Sequence, residues 1–336
     1  MAWLPRELEP VALRLARADD AAFQMGELAL NWSRAEGRGA LTLGQVVQKT
    51  GELELVVTGI RPIPPLVSML FSEAIHHLRA AIENTLFHLV ETARGAAIPE
   101  NQAYLVGLPV SDDREKFEKW QSKMTGRGLI ELGSATTLGN RIAGLQPFAD
   151  PVAVPSLDPE LATLMNVQPE YAHPMVLLQK YSNIDKHRAI RMAATRTLIQ
   201  RGDESFRLSD RSMRPIAVGD VLATVPLGVQ IEVDTTSAVH VQRPDKSTWV
   251  SPGRELYEIH RHVSDVIIPT LVKGLALTRS IPPNINLGDT GQEVEDRIRS
   301  GNWEPAHKRM SSISLAAHDE GLESGRLVPP IVKRDG

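Results

Sequence analysis

Between residues 65 and 93 the apolar side chains recur at helical spacing. Phe71, Ile75, Leu78, Ile82, Leu86 and Leu89 fall on one stripe, with Pro65 suited to the first turn and Gly95 to the stop. The same period runs through 6–33, where Val11, Leu15, Phe23 and Leu30 sit amid charge before Glu36-Gly37-Arg38-Gly39. It returns at 253–278 with Leu256, Ile259, Val263, Val266, Ile267 and Leu271; Pro269 is expected to kink or split that helix. Shorter helices are expected at 112–124, 137–146 and 158–165, and a longer one at 170–191.

Elsewhere the pattern is that of strands. Residues 42–60 read as a hairpin turned at Thr50-Gly51-Glu52, and 104–110 as a short extended piece. After 191, strands are expected at 192–201, 204–208, 214–225, 228–234 and 238–243, with turns at Gly202-Asp203, Pro226-Leu227-Gly228 and Asp234-Thr235. The predicted class is α+β: a long-helix bundle core, a β-hairpin insertion near the N-terminus, and a C-terminal antiparallel β-meander followed by a helix. One domain is expected over 1–278, made of a helical core (1–191), antiparallel strands (192–250) and a closing helix (253–278). From Ile281-Pro282-Pro283-Asn284 onward the pattern fades, and 279–336 reads as an appended tail with short helices.

One helix breaks the usual separation of apolar and charged faces. In His173–Arg191 the residues Leu177, Tyr181, Ile184, Arg188 and Arg191 share a face, and Asp185-Lys186-His187-Arg188 finishes the apolar stripe. Either the helix leaves the core there, or the charges are buried and paired. On helix 65–93, Arg79 and Glu83 are i, i+4 partners on the flank of the stripe, within reach of a packed neighbour. Arg79, Glu83, Asp185, His187 and Arg188 are therefore the candidate site residues. They supply acids, a titratable base and cations, which general acid–base chemistry needs and which an ordinary ion-pair network uses equally.

Composition narrows the alternatives. The net charge of -4 over 336 residues gives no global basic footprint for nucleic acid. The absence of Cys removes disulfides, thiolate nucleophiles and cysteine-based metal sites. The start, MAWLPRELEP, has no apolar core of a signal peptide, and no apolar run reaches membrane-spanning length, so a cytoplasmic protein away from membranes is expected. Phosphate-loop, dinucleotide-fold, nucleophile-elbow and zinc-protease motifs are missing. Glu258 and His262 stand at i, i+4, a spacing a metal can use, but no second cluster is assignable by spacing, so neither metal nor other cofactor is expected. His76-His77 point about 100° apart on a helix and cannot easily share an ion.

The segments SEAIHHLRAAIENTLFHLV (72–90), LPV (108–110), LQPF (145–148) and HPMVLLQKYSNIDKHR (173–188) together resemble a set of uncharacterised bacterial proteins, common in actinobacteria. Those carry a helix with a Leu-Arg…Asp pattern, a short F-P-I segment, L-Q-P-Y and a helix ending N-I-D-K-H-R. The resemblance covers 1–278; it implies an architecture and a residue pattern but no reaction. This chain departs from it at Leu108-Pro109-Val110, Glu73 and Glu83-Asn84. A second likeness, on the helical pair and the Arg/His/acid cluster, is to HEPN domains, which cut RNA without metal using an Arg and a His four to six residues apart. Arg79 and His88 stand too far apart for that motif, and His187-Arg188 is reversed.

Two functions follow as expectations. In the first, the cluster is a buried network fixing two helices in a binding or interaction module. In the second it lines a cleft as a HEPN-like metal-independent ribonuclease, with His187 as base or acid, Asp185 orienting it, and Arg79 and Arg188 holding phosphate. RNA or a protein partner engaged through 279–336, and a homodimer, are the partners considered.

Overall fold

The computed structural model describes residues 3–34, 40–165, 167–201, 214–228 and 233–323. It is α+β, with antiparallel sheets only. In chain order the elements are α1 (Glu9–Arg34), β1 (Leu41–Val47), β2 (Glu52–Ile60), α2 (Pro65–Arg94), the single turn α3 (Glu100–Ala103), α4 (Arg114–Gly126) and α5 (Thr137–Gly144). Then come β3 (Val154–Pro155), α6 (Pro159–Met165), β4 (Tyr171–Ala172), α7 (Pro174–His187), β5 (Met192–Arg201), β6 (Arg214–Pro215), β7 (Val221–Pro226), β8 (Val233–Gln242) and β9 (Trp249–Val250). The chain closes with α8 (Pro252–His262), α9 (Ile268–Lys273), α10 (Val294–Arg299) and α11 (Ala306–Glu323). No helix among the described residues is long and apolar enough to cross a membrane.

The long stripe read from the sequence is the centre of the core. Phe71, Ile75, Leu78, Ile82 and Leu86 of α2 are buried against Leu15 and Met25 of α1, Leu177 and Tyr181 of α7, and Leu256 and Ile259 of α8. Phe71 and Tyr181 meet edge to face, their ring centroids 5.0 Å apart, the arrangement favoured by opposed ring quadrupoles. Pro65 opens α2 without stranding an amide, and Gly95 ends it in the left-handed conformation.

The strands divide differently from the expected meander. β7 pairs with β2, giving a sheet in the order β1-β2-β7. β5 is the inner strand of a second sheet, β6-β5-β8-β9. Asp234-Thr235 is not a turn, because β8 runs through it, with Thr235 opposite Ile199 and Asp234 opposite Gln200. The expected strand 204–208 and its Gly202-Asp203 turn lie outside the described residues, as does Glu36–Gly39. Tyr104–Val110 forms no strand.

Pro269 splits the closing helix. Without an amide it cannot satisfy the Asp265 carbonyl, which accepts instead from Leu277 N at 2.8 Å, and Val263–Ile267 widens into a π-helical turn between α8 and α9. The chain beyond 279, expected as an appended tail, docks on the helical body. Ile281, Ile285, Ile298 and Ala306 are buried in the same core. Asp19 of α1 accepts from the Ala306 amide at 2.7 Å and pairs with Arg309. Residues 324–336 lie outside the described part.

Candidate metal centre

The five residues singled out in the sequence do not assemble. Arg79 and Glu83 pair along α2, Nε to Oε1 at 2.8 Å, and Arg79 Nη2 donates to the Leu108 carbonyl at 2.8 Å. Asp185, His187 and Arg188 are exposed, and none makes a side-chain hydrogen bond or ion pair among the described residues. The reason is where α7 stops packing. Its last buried residues are Tyr181 and Ser182, and Arg188 already leaves the helix in an extended conformation. The charges follow the final packed turn and stay in water, which avoids the desolvation that a buried network would have to offset.

A different set of polar residues converges inside the protein. Asp150, His173 and His262 offer one ligand atom each, all within 4.8 Å of one another. Asp150 Oδ2 lies 3.6 Å from His173 Nε2 and 3.7 Å from His262 Nε2. The two imidazoles stand nearly perpendicular, 84° between planes, with centroids 5.4 Å apart. All three atoms are buried, and none has a hydrogen-bond partner. Buried polar atoms are nearly always satisfied, so three such atoms side by side mark a place suited to a bound cation or an ordered water.

Local structure aims each group. Asp150 follows α5: its amide is held by the Gln146 carbonyl at 2.9 Å, and Oδ1 accepts from Val152 N at 3.0 Å, which leaves Oδ2 for the imidazoles. His173 is the N-cap of α7, between the β4 ladder and Pro174; its Nδ1 accepts from Met175 N at 3.2 Å. His262 is the last residue of α8, at the edge of the π-helical turn. Such turns recur at functional sites.

Electrostatics keeps both rings neutral. Burial lowers the His173 pKa against the opposing pull of Asp150. Burial, helped by His173 and opposed by Asp150, lowers that of His262 to about 4. Neutral imidazoles have lone pairs available for a metal at pH 7. Ligand atoms around a tetrahedral ion stand about 3.4 Å apart, given bonds of about 2.1 Å; the two Asp150 contacts need to close by only a few tenths of an ångström, while the two imidazole nitrogens start from within 4.8 Å of each other. Three protein ligands, rather than four, is the ligand count of reactive metal sites rather than of closed structural ones.

One bond opposes metal binding. With Nδ1 accepting from Met175, neutral His173 carries its proton on Nε2, facing Asp150. A metal on Nε2 moves that proton to Nδ1 and releases the Met175 amide. Losing such a cap costs about 1 kcal/mol, small beside the roughly 10 kcal/mol or more of a well-formed zinc site.

Two hollows flank the trio. Asp150 lines an open cleft of about 620 Å³ between α5 and α9. His262 lines one of about 330 Å³ with Val152, Val154, Pro174, Glu258 and Leu277. Spacing alone pointed to Glu258 and His262, yet Glu258 pairs with Arg261 instead. Asp150 and His173 carried no sequence signal, because the ligands at positions 150, 173 and 262 stand 23 and 89 residues apart along the chain. His260, beside His262, is a satisfied core residue bonded to the Leu15 carbonyl.

No family model, curated protein or solved structure gives a significant match to this chain.

Proposed function

We propose that this protein binds a divalent transition-metal ion, zinc foremost, through Asp150 Oδ2, His173 Nε2 and His262 Nε2, with the remaining coordination open to the flanking clefts. The observation that carries this reading is the convergence of three buried, unpartnered ligand atoms. A nitrogen- and oxygen-only set with two imidazoles suits Zn²⁺, Fe²⁺, Co²⁺ or Mn²⁺ better than Ca²⁺ or Mg²⁺, which take oxygen ligands. Such an ion polarises a bound carbonyl or phosphoryl oxygen and brings a bound water toward neutral pKa.

Calorimetric titration of Zn²⁺ into the full-length, EDTA-treated protein tests the proposal. One equivalent should bind at micromolar or tighter affinity, and Asp150→Asn and His262→Gln should each weaken it by at least about tenfold. Hydrogen exchange at the Met175 amide should quicken on loading, because its acceptor is lost. Equal binding by wild type and Asp150→Asn overturns the proposal.

A second reading, contact with RNA, is supported by the exposure of Lys186, His187, Arg188 and Arg191 at one end of α7. Here the cluster acts as a cationic surface rather than a buried network. The measurement is salt-dependent RNA binding in EDTA; if Lys186→Glu with Arg188→Glu leaves it unchanged, or none is seen, the reading is lost.

A further inference from the structure

We infer that the cleft between α5 and α9 receives an oxyanion, a carboxylate or phosphate group, held between Arg141 and the ion at Asp150. This inference rests on the metal reading above. Arg141 and Asp150 line the same hollow, together with Thr137, Asn140 and Thr270. Arg141 Nη1 donates to the Leu271 and Val272 carbonyls at 2.8 and 3.0 Å, which fixes the guanidinium at the C-terminal end of α9. Its Nε and Nη2 make no hydrogen bond, and Arg141 has no acidic partner among the described residues.

The close seat depends on Gly274. It caps α9 at φ 83°, and a Cβ there would stand 3.2 Å from Arg141 Nε and 3.3 Å from Nη2. The backbone turn thus lets the Nε–Nη2 edge of the guanidinium lie close to Gly274, where any side chain would crowd it, while Nη1 is committed to the α9 carbonyls. The hydroxyls of Thr137 and Thr270 and the Asn140 amide also make no side-chain bond among the described residues. The hollow therefore presents one unpaired cation and several free donors. Among the described residues Asp150 is its only acid, and an ion on Asp150 would offset that charge. A guanidinium with two parallel donors free, in the hollow that Asp150 also lines, suits an anion with more than one oxygen.

The test titrates inorganic phosphate and, separately, oxalate into full-length protein with and without bound Zn²⁺. Metal-loaded protein should bind at least one of them, and the preferred one tells phosphate from carboxylate chemistry. Arg141→Met should weaken that binding by at least about tenfold while zinc affinity stays within about twofold. Because Arg141 also ties down α9, Thr270→Val serves as a second variant; it keeps shape and should weaken anion binding several-fold with the melting temperature unchanged. If zinc does not bind, the metal proposal fails by itself, and weak Arg141-dependent binding in the metal-free protein still supports the anion cleft. No anion binding in either form, or equal binding by wild type, Arg141→Met and Thr270→Val, overturns it.

Discussion

Arg243 and Glu255 form a fully buried two-pronged ion pair, Nε to Oε1 at 3.0 Å and Nη2 to Oε2 at 2.9 Å, their side chains 1% and 2% exposed. The remaining donors of Arg243 reach the Glu170 carbonyl at 3.0 Å and the Val154 carbonyl at 3.3 Å, and Tyr181 OH donates to Glu255 Oε1 at 3.2 Å. The ion pair thereby joins the β3 segment and the residue before β4, through Arg243, to α7 and α8, through Glu255. Those are the elements that carry His173 and His262, with Asp150 four residues before β3.

Removing one partner of this pair leaves an uncompensated buried charge. Arg243→Met should lower unfolding free energy by about 3–5 kcal/mol. Glu255→Gln should cost at least as much, because it leaves the permanently charged guanidinium without a counterion and turns an amide NH2 donor toward it. Urea denaturation checks both, and a change under about 1 kcal/mol for Arg243→Met would mean that the pair does not hold these elements together. The double change Arg243→Met with Glu255→Leu should recover part of the loss, since it strands no charge.

Stability should fall as pH drops from about 6.5 toward 4. Burial lowers the pKa of His240 and of His262 to about 4, while the unfolded chain titrates near 6.5. Within that window the unfolded state binds more protons, so acid favours unfolding; above about 6.5 both states are neutral and the contribution is flat. Each ring accounts for about 3 kcal/mol across the window, at 1.36 kcal/mol per unit of pKa. Denaturation curves at pH 7, 6 and 5 should show the slope, and His262→Gln should reduce it. A pH-independent midpoint would contradict this account.

The α11 helix should be releasable. Asp19 is buried at 4% exposure, and burial raises its pKa despite His260, the Ala306 amide and Arg309. Arg309 also lies over the Phe23 ring, 4.3 Å from its centroid. Arg309→Met should therefore loosen the docking of 306–323 on α1 with little effect on α2. Limited proteolysis should cut that segment several times faster than in wild type, and an unchanged cleavage pattern would refute the link.

The helices were legible because their signals are local. The α2 stripe, its Pro65 start and its Gly95 stop need only a 3.6-residue period and one permissive backbone conformation. The split at Pro269 was legible for the same reason, since the missing amide is a property of one residue. Strand partners were not: nothing in Val221–Pro226 says that it joins β2 instead of β5, because that pairing depends on long-range contacts such as the small apolar cluster of Val57, Ile216 and Leu222. The expected polar cluster failed on burial. Helical spacing put Arg188 on the Leu177–Tyr181 face but could not tell that the helix stops packing one turn earlier.

By itself the sequence determined the α+β class, the places of the long helices and the exclusion of cysteine chemistry, all of which depend on residue type and short-range periodicity. Only the tertiary structure decided which charges are buried and which residues meet. A helix C-terminus after α5, a helix N-cap on α7 and the end of α8 are brought to one point by packing around Arg243 and Glu255. Their three ligands share no spacing along the chain, so only the contacts of the folded core could place Asp150 between His173 and His262.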